Sequence, residues 1–351
     1  MNVGGPSNPQ GAPARTTYDH EAGASVASVD RFPRYDDLPV APLRARHAWG
    51  VFGGDDSIGR LNLLGPERVL EAVRLVRKGS VFPLDAAISG FDPPLDASRA
   101  RARHRVLEGR GHTGVEHLDD ALDDYFPQVS SQWDSLAHVV AEPGRFYNDA
   151  TLEEVLSGQR NTIDHWHRRG IVSRGVLLDV KRALERESRG AIDASHGSVS
   201  LSVADLETAR RHARLEYSTG CIIVVHTGFV SWYVQQLPAV RRSLSESLQA
   251  PGLEHTEAMA RYLWDSGAAA VVSDTFAVEV WPPDWSSASW DWGFLHRALI
   301  GRLGIPLGEL WDLEALAEDC DADGTYEFLV ASAPLHLSGG IGSPANALAV
   351  K

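Results

Sequence analysis

The chain has 351 residues, with 33 basic and 47 acidic side chains and a formal net charge of −14 at pH 7. That balance argues against nucleic acid or an anionic membrane as partner, because both demand clustered Lys and Arg. A hydrophobic fraction of 43% is enough for a sizeable core, and two cysteines, Cys221 and Cys320, supply neither a disulfide framework nor a four-ligand zinc site. The longest apolar runs, 221–225 and 268–272, fall far short of the ~18 residues of a membrane span. A cytoplasmic enzyme acting on a small molecule is the expectation.

Residues 1–30 are rich in Gly, Pro, Ser and Ala without hydrophobic periodicity, which predicts a disordered N-terminal arm; no apolar core of a secretory signal is present. Residues 31–351 read as one catalytic domain. Gly65-Pro66 opens a helix with Val69, Leu70, Val73 and Val76 on one face. Thr151 and Glu154 form a capping box for a helix over 152–157. Buried strands are expected at 175–180, 221–227 and 268–273, and further strands at 326–333 and 344–350. Helices are expected over 203–214, capped by Ser202, over 253–265, and over 292–303, the last with Phe294, Leu295, Ala298 and Leu299 inward. The interleaving predicts an α/β or α+β fold with a mixed sheet.

Several familiar signatures are missing: there is no G-x-S-x-G elbow, no phosphate-binding Walker loop and no H-E-x-x-H. The run from Gly340 to Ala345 matches G-x-G-x-x-A, but no strand–helix–strand unit can follow it. His165 and His167 have the H-x-H spacing of some metal hydrolases; at the end of a short helix, two partly exposed histidines are the simpler reading.

The informative segment is 125–148. Gln128, Ser130, Ser131, Gln132, Asp134 and His138 crowd around Trp133. If the chain turns helical after Trp133, Asp134 and His138 share a face. The carboxylate could then fix the imidazole tautomer, or both could line a pocket; a solvated acid and a surface histidine are the alternative.

The segment from Gln128 to His138, QVSSQWDSLAH, resembles in register the H-x-G-T-H-x-D-x-P-x-H signature of the cyclase family, which includes kynurenine formamidase and isatin hydrolase. Stretches 54–69, 146–148, 170–180, 294–310 and 333–350 resemble its longer bacterial branch, so the likeness spans roughly 45–351. The resemblance implies a swivelling β/β/α kynurenine formamidase-like fold, a mixed barrel-like sheet with surrounding helices. It places Asp134 on the metal-bridging Asp and His138 on the catalytic His, with His296 and Glu309 completing the metal site. It also implies a homodimer or homotetramer. The chain departs from the signature at both leading metal histidines, which are Gln128 and Gln132 here. An amide oxygen is a weaker ligand than imidazole, so the remaining set favours Mn²⁺ or Mg²⁺ over Zn²⁺, with a metal-free site as the alternative.

Two chemistries follow. One is hydrolysis of an amide, formamide or lactone carbonyl, with His138, titrating near neutrality, as general acid–base. The other is metal-independent cyclisation or dehydration, in which Gln128 and Gln132 donate to an oxyanion. A ligand-binding protein without turnover is the third reading. Trp133, Tyr147, Asn148, Trp281, Trp285, Trp290 and Trp292 are candidate substrate contacts for an aromatic or polyketide-like molecule, although packing accounts for most tryptophans.

Overall fold

Apolar strands alternating with capped helices build a mixed α+β fold around one curled nine-stranded sheet. A computed structural model describes residues 32–110, 116–189, 192 and 197–351. The arm expected over 1–30 lies outside the described residues, and Pro33–Lys351 form one compact unit. The strands are β1 (Val81–Pro83), β2 (Arg103–Arg110), β3 (Glu116–Asp123), β4 (Gln132–Asp134), β5 (Ile171–Asp179), β6 (Ser200–Leu201), β7 (Ile222–His226), β8 (Gly252–Leu253), β9 (Ala270–Ser273), β10 (Leu307–Glu309), β11 (Glu327–Ser332), β12 (Gly342–Pro344) and β13 (Ala347–Val350). The main sheet runs β1-β13-β11-β5-β7-β9-β10-β4-β12, while β2–β3 and β6–β8 pair separately. Its centre, β5-β7-β9-β10, is parallel, and both flanks are antiparallel.

The parallel centre explains the unbroken apolar runs: every residue of β7 and β9 is buried, as expected for strands covered on both faces. The helices are α1 (Pro66–Val73), α2 (Leu152–Leu156), α3 (Ile163–Arg169), α4 (Val180–Arg186), α5 (Val203–His212), α6 (Phe229–Val234), α7 (Pro238–Glu246), α8 (Glu257–Asp265) and α9 (Glu314–Asp323). The capping box of α2 forms as the sequence predicts, Thr151 Oγ1 accepting from Glu154 N at 3.2 Å and Glu154 Oε2 from Thr151 N at 2.7 Å. Ser202 caps α5 in the same way with Asp205.

Three expectations need correction. In α1 the buried side chain is Ala72, while Leu70 and Val73 face solvent. Helix α8 starts four residues late, because Gly252–Leu253 is spent as β8 and Thr256 supplies the cap. The expected helix over 292–303 begins only at Leu295 and passes into a π-helix at Arg297–Arg302, immediately after His296. Among the described residues, no helix is long and apolar enough to cross a membrane.

Candidate functional site

The site grows from the seam between β10 and β4. Their antiparallel register sets Glu309 opposite Gln132 and Leu307 opposite Asp134. Side chains alternate across a strand, so Gln132 and Asp134 share one face and Trp133 takes the other. Gln132 Nε2 donates to Glu309 Oε2 at 2.5 Å. His296, delivered by the segment leading into the π-helix, sets Nε2 2.9 Å from Glu309 Oε1 and 3.9 Å from Asp134 Oδ2. Asp134, His296 and Glu309 thus come from two strands and a helix start, and all three are buried. Their ligand atoms lie within 4.8 Å of one another.

His138 follows on a turn, not on the expected helix: its N–H donates to Ser135 O at 3.0 Å. Residues 134 and 138 still meet, with Nε2 of His138 3.9 Å from Asp134 Oδ1, too far for the carboxylate to fix the imidazole by a direct hydrogen bond. The His138 side chain stays one-quarter exposed, at the outer side of the buried acids.

The electrostatics are those of a crowded, dry site. Burial, then the negative charge of Glu309, pushes Asp134 well above the usual carboxylate range. Burial alone would discharge His296, but hydrogen bonds to Glu279 and Glu309 outweigh it and raise the imidazole to about 10. Burial likewise works against Glu309, and the His296 bond and charge hold it low. For His138, burial and then the cationic His296 push the imidazole down to about 4. This differs from the expectation of titration near neutrality: the His138 imidazole is neutral at pH 7.

Two residues that the sequence reading missed stand beside the cluster. Glu279, 1% exposed, accepts from Leu295 N at 2.5 Å, from His296 N at 2.8 Å and from His296 Nδ1. A carboxylate flanked by apolar residues in the stretch 276–280 was the available signal, since buried acids are rare without partners. Arg99 ties the carbonyl of Gln128 and sits 3.3 Å from Asp96; its positive charge reaches Asp134, His138 and Glu309.

The residues present fit a divalent cation. Both carboxylate oxygens of Asp134 and Oε1 of Gln132 are buried without a hydrogen-bond partner, a state that costs roughly 1–3 kcal/mol per group unless a ligand relieves it. His296 has its Nδ1 committed to a carboxylate and Nε2 turned to the cluster, the pattern of a metal-binding imidazole. The donor set is oxygen-rich and compatible with a divalent metal.

Other sequence candidates lie elsewhere. Trp133 is fully buried, donates to Ser332 Oγ at 2.9 Å and packs edge-on against Trp166 and Trp311, so it is core and not a substrate contact. Tyr147 is buried with its hydroxyl on Asp56. Asn148, at φ +57°, spends its side chain on Gly50 N and on the carbonyls of Gly53, Gly54 and Asp56. Both hold the 50–56 loop, and neither has a polar group to spare for substrate. Gln128 is half-buried, its amide against Gly342, where a Cβ would come within 2.5 Å. Gly342 pairs with Asp134, so Gln128 borders the site without joining the acids. His167 stacks on His336 and binds Pro334 O, leaving the H-x-H pair as surface packing. Gly342–Pro344 of the glycine run is strand β12, which runs on into strand β13 and not into a helix. Trp290 and Trp292 lie under Arg297 and Arg302. Only Trp281 and Trp285 lead toward the site, through Phe294, whose ring stacks on His296 at 4.9 Å.

A family model named Cyclase matches residues 96–280, more than half of the sequence. The chain belongs to the cyclase family. The matched span holds the Gln128–His138 signature and Glu279, whereas His296 and Glu309 lie beyond it. Among solved structures, this cyclase-family chain is similar to that of a novel cyclase, at 28% identity and a TM-score of 0.76, covering 87% of this chain and 99% of that one. An isatin hydrolase bound to the product analogue thioisatinate matches at 13% identity and a TM-score of 0.52, covering 82% and 98%. Isatin hydrolase A from Labrenzia aggregata, bound to benzyl benzoate, matches at 14% and 0.50, covering 77% and 93%. These two show the shared fold. No curated protein sequence matches.

Proposed function

We propose that the chain is a hydrolase opening an amide, formamide or lactone bond of a small cyclic or acylated molecule, with His138 as general acid–base. The observation that carries this reading is the neutral, quarter-exposed His138 imidazole beside three buried ligand groups, two of whose oxygens, both on Asp134, lack partners. A divalent ion held by Asp134, His296 and Glu309, with Mn²⁺ preferred, would supply Lewis-acid polarisation of the scissile carbonyl. His138 takes the proton of the attacking water and returns it to the leaving nitrogen or oxygen. Phe294 and the 63%-exposed Trp285, 5.0 Å apart, offer an aromatic wall from solvent to His296, which suits a planar substrate. The isatin hydrolase likeness supports a cyclic amide as first substrate class to try.

The same proposal includes a homodimer or homotetramer, supported by the exposed Val106, Leu107, Leu118 and Leu122 of the β2–β3 hairpin. A second reading, metal-independent cyclisation or dehydration, is favoured by one contact: Gln132 Nε2 occupies Glu309 Oε2, an oxygen a metal would otherwise use. Elemental analysis followed by a panel of cyclic amides and lactones, with Mn²⁺ and with chelator, separates the two. Stoichiometric metal and chelator-sensitive ring opening support hydrolysis. Turnover indifferent to chelator overturns it for the metal-free route.

A further inference from the structure

We propose that Glu279 is the positioning residue of this site, fixing the one imidazole of the Asp134–His296–Glu309 set, and that His255 braces it from the opposite side. The inference rests on the metal reading above. Glu279 gathers the backbone N–H groups of Leu295 and His296 and the Nδ1 of His296 on one carboxylate. Nδ1 is thereby spent, and Nε2 is the nitrogen left to face Glu309 and Asp134. His255, 15% exposed, brings its Nε2 to 2.7 Å from Glu279 Oε2, an ion-pair approach not aligned as a hydrogen bond.

The backbone is bent to achieve this. Ala277 and Val278, just before Glu279, both lie in the left-handed region, at φ +67° and +56°. A β-branched residue is a genuine outlier there, and such strain persists only where surrounding structure holds it. Strand β8 does the holding: Leu253 N donates to Val278 O and Val280 N to Leu253 O, both at 3.0 Å. Gly252 permits the approach, since a Cβ there would lie 2.2 Å from the Glu279 carbonyl carbon. The strain aims Glu279 at the helix start that carries His296. With glutamine at 128 and 132, no other imidazole among the described residues belongs to the ligand set, so its orientation weighs more in this chain than in one that keeps the signature histidines.

The test is Mn²⁺ titration of the full chain by calorimetry, with Mn²⁺ electron paramagnetic resonance on ¹⁵N-histidine-labelled protein. Glu279→Gln is expected to bind Mn²⁺ about 10–100-fold more weakly and to lose the hyperfine coupling of a directly bound imidazole nitrogen. Loss of that coupling is a signature that general loosening of the fold would not single out. His255→Gln, near the surface, is expected to weaken binding by a smaller but measurable factor, and it decides the matter if Glu279→Gln does not fold. Wild-type affinity and coupling in Glu279→Gln, or wild-type affinity in His255→Gln when that variant must decide, overturn the inference and leave the metal reading standing. A wild-type chain that binds no Mn²⁺ removes both.

Discussion

Two buried clusters in this molecule each set one histidine among carboxylates, and they differ in what happens to the oxygens. At the ends of the parallel strands β5, β7 and β9, His226 donates to Asp179 at 3.0 Å and to Glu314 at 3.3 Å. Asp274 accepts from Thr227 N, Thr227 Oγ1 and Gly228 N, while Arg182 serves Asp179 and Glu314, and Ser231 serves Glu314. In both clusters burial would discharge the imidazole and carboxylate partners win, raising His226 and His296 alike to about 10. Yet every acid around His226 accepts a hydrogen bond, and neither oxygen of Asp134 at the other cluster does. A saturated ion network locks strand ends together; an unsaturated one leaves oxygens free to take a ligand. Perturbed titration alone does not tell the two apart, whereas unmet hydrogen bonding does.

The contrast can be broken by substitution. The largest effect is expected from His226→Ala, which strips the imidazolium from the three acids and should lower stability by about 3–5 kcal/mol in urea unfolding. His138→Ala should instead leave stability nearly unchanged and reduce kcat by on the order of 10²-fold or more; full turnover in that variant would take His138 out of the chemistry. Mn²⁺ at about 100 times its Kd should stabilise the chain by ~2.7 kcal/mol in thermal unfolding. Protons on Asp134 and His296 compete with the metal, so its affinity should fall as pH falls. With chelator present, Asp134→Leu should raise stability by about 1 kcal/mol while abolishing Mn²⁺ binding; a loss comparable with that of His226→Ala would erase the distinction between the clusters.

The smallest effect is a slope with pH. His226 and His296 are raised from 6.5 to about 10, so their contribution to stability is complete below about pH 6.5. It is lost as pH climbs through about 10, because the unfolded chain has by then already released these protons. With Mn²⁺ bound, His296 has already given up its proton, and the alkaline fall should be shallower in unfolding curves recorded from pH 6 to 10.

Much of the site was legible in the chain before folding. The signature register pointed to Asp134 and His138, and the family resemblance to His296 and Glu309; all four converge. Trp133 was misread because a signature gives residues in order and says nothing about strand parity, which turns 133 away from 132 and 134. Asn148 was misread because its left-handed backbone and four loop contacts are products of the fold. Glu279 stayed hidden because its partner lies seventeen positions on, and no propensity scale encodes the strained bend at 277–278 that precedes it.

The sequence by itself determined the alternating strands and helices, their caps, and the loss of two imidazoles from the signature, since these depend on residue type and local spacing alone. Only the tertiary structure decided which buried acids are paired and which are left wanting. It also decided that His138 is held neutral and that Glu279 holds His296. Hydrogen-bond satisfaction and desolvation depend on neighbours brought together from distant positions, and no local pattern carries that information.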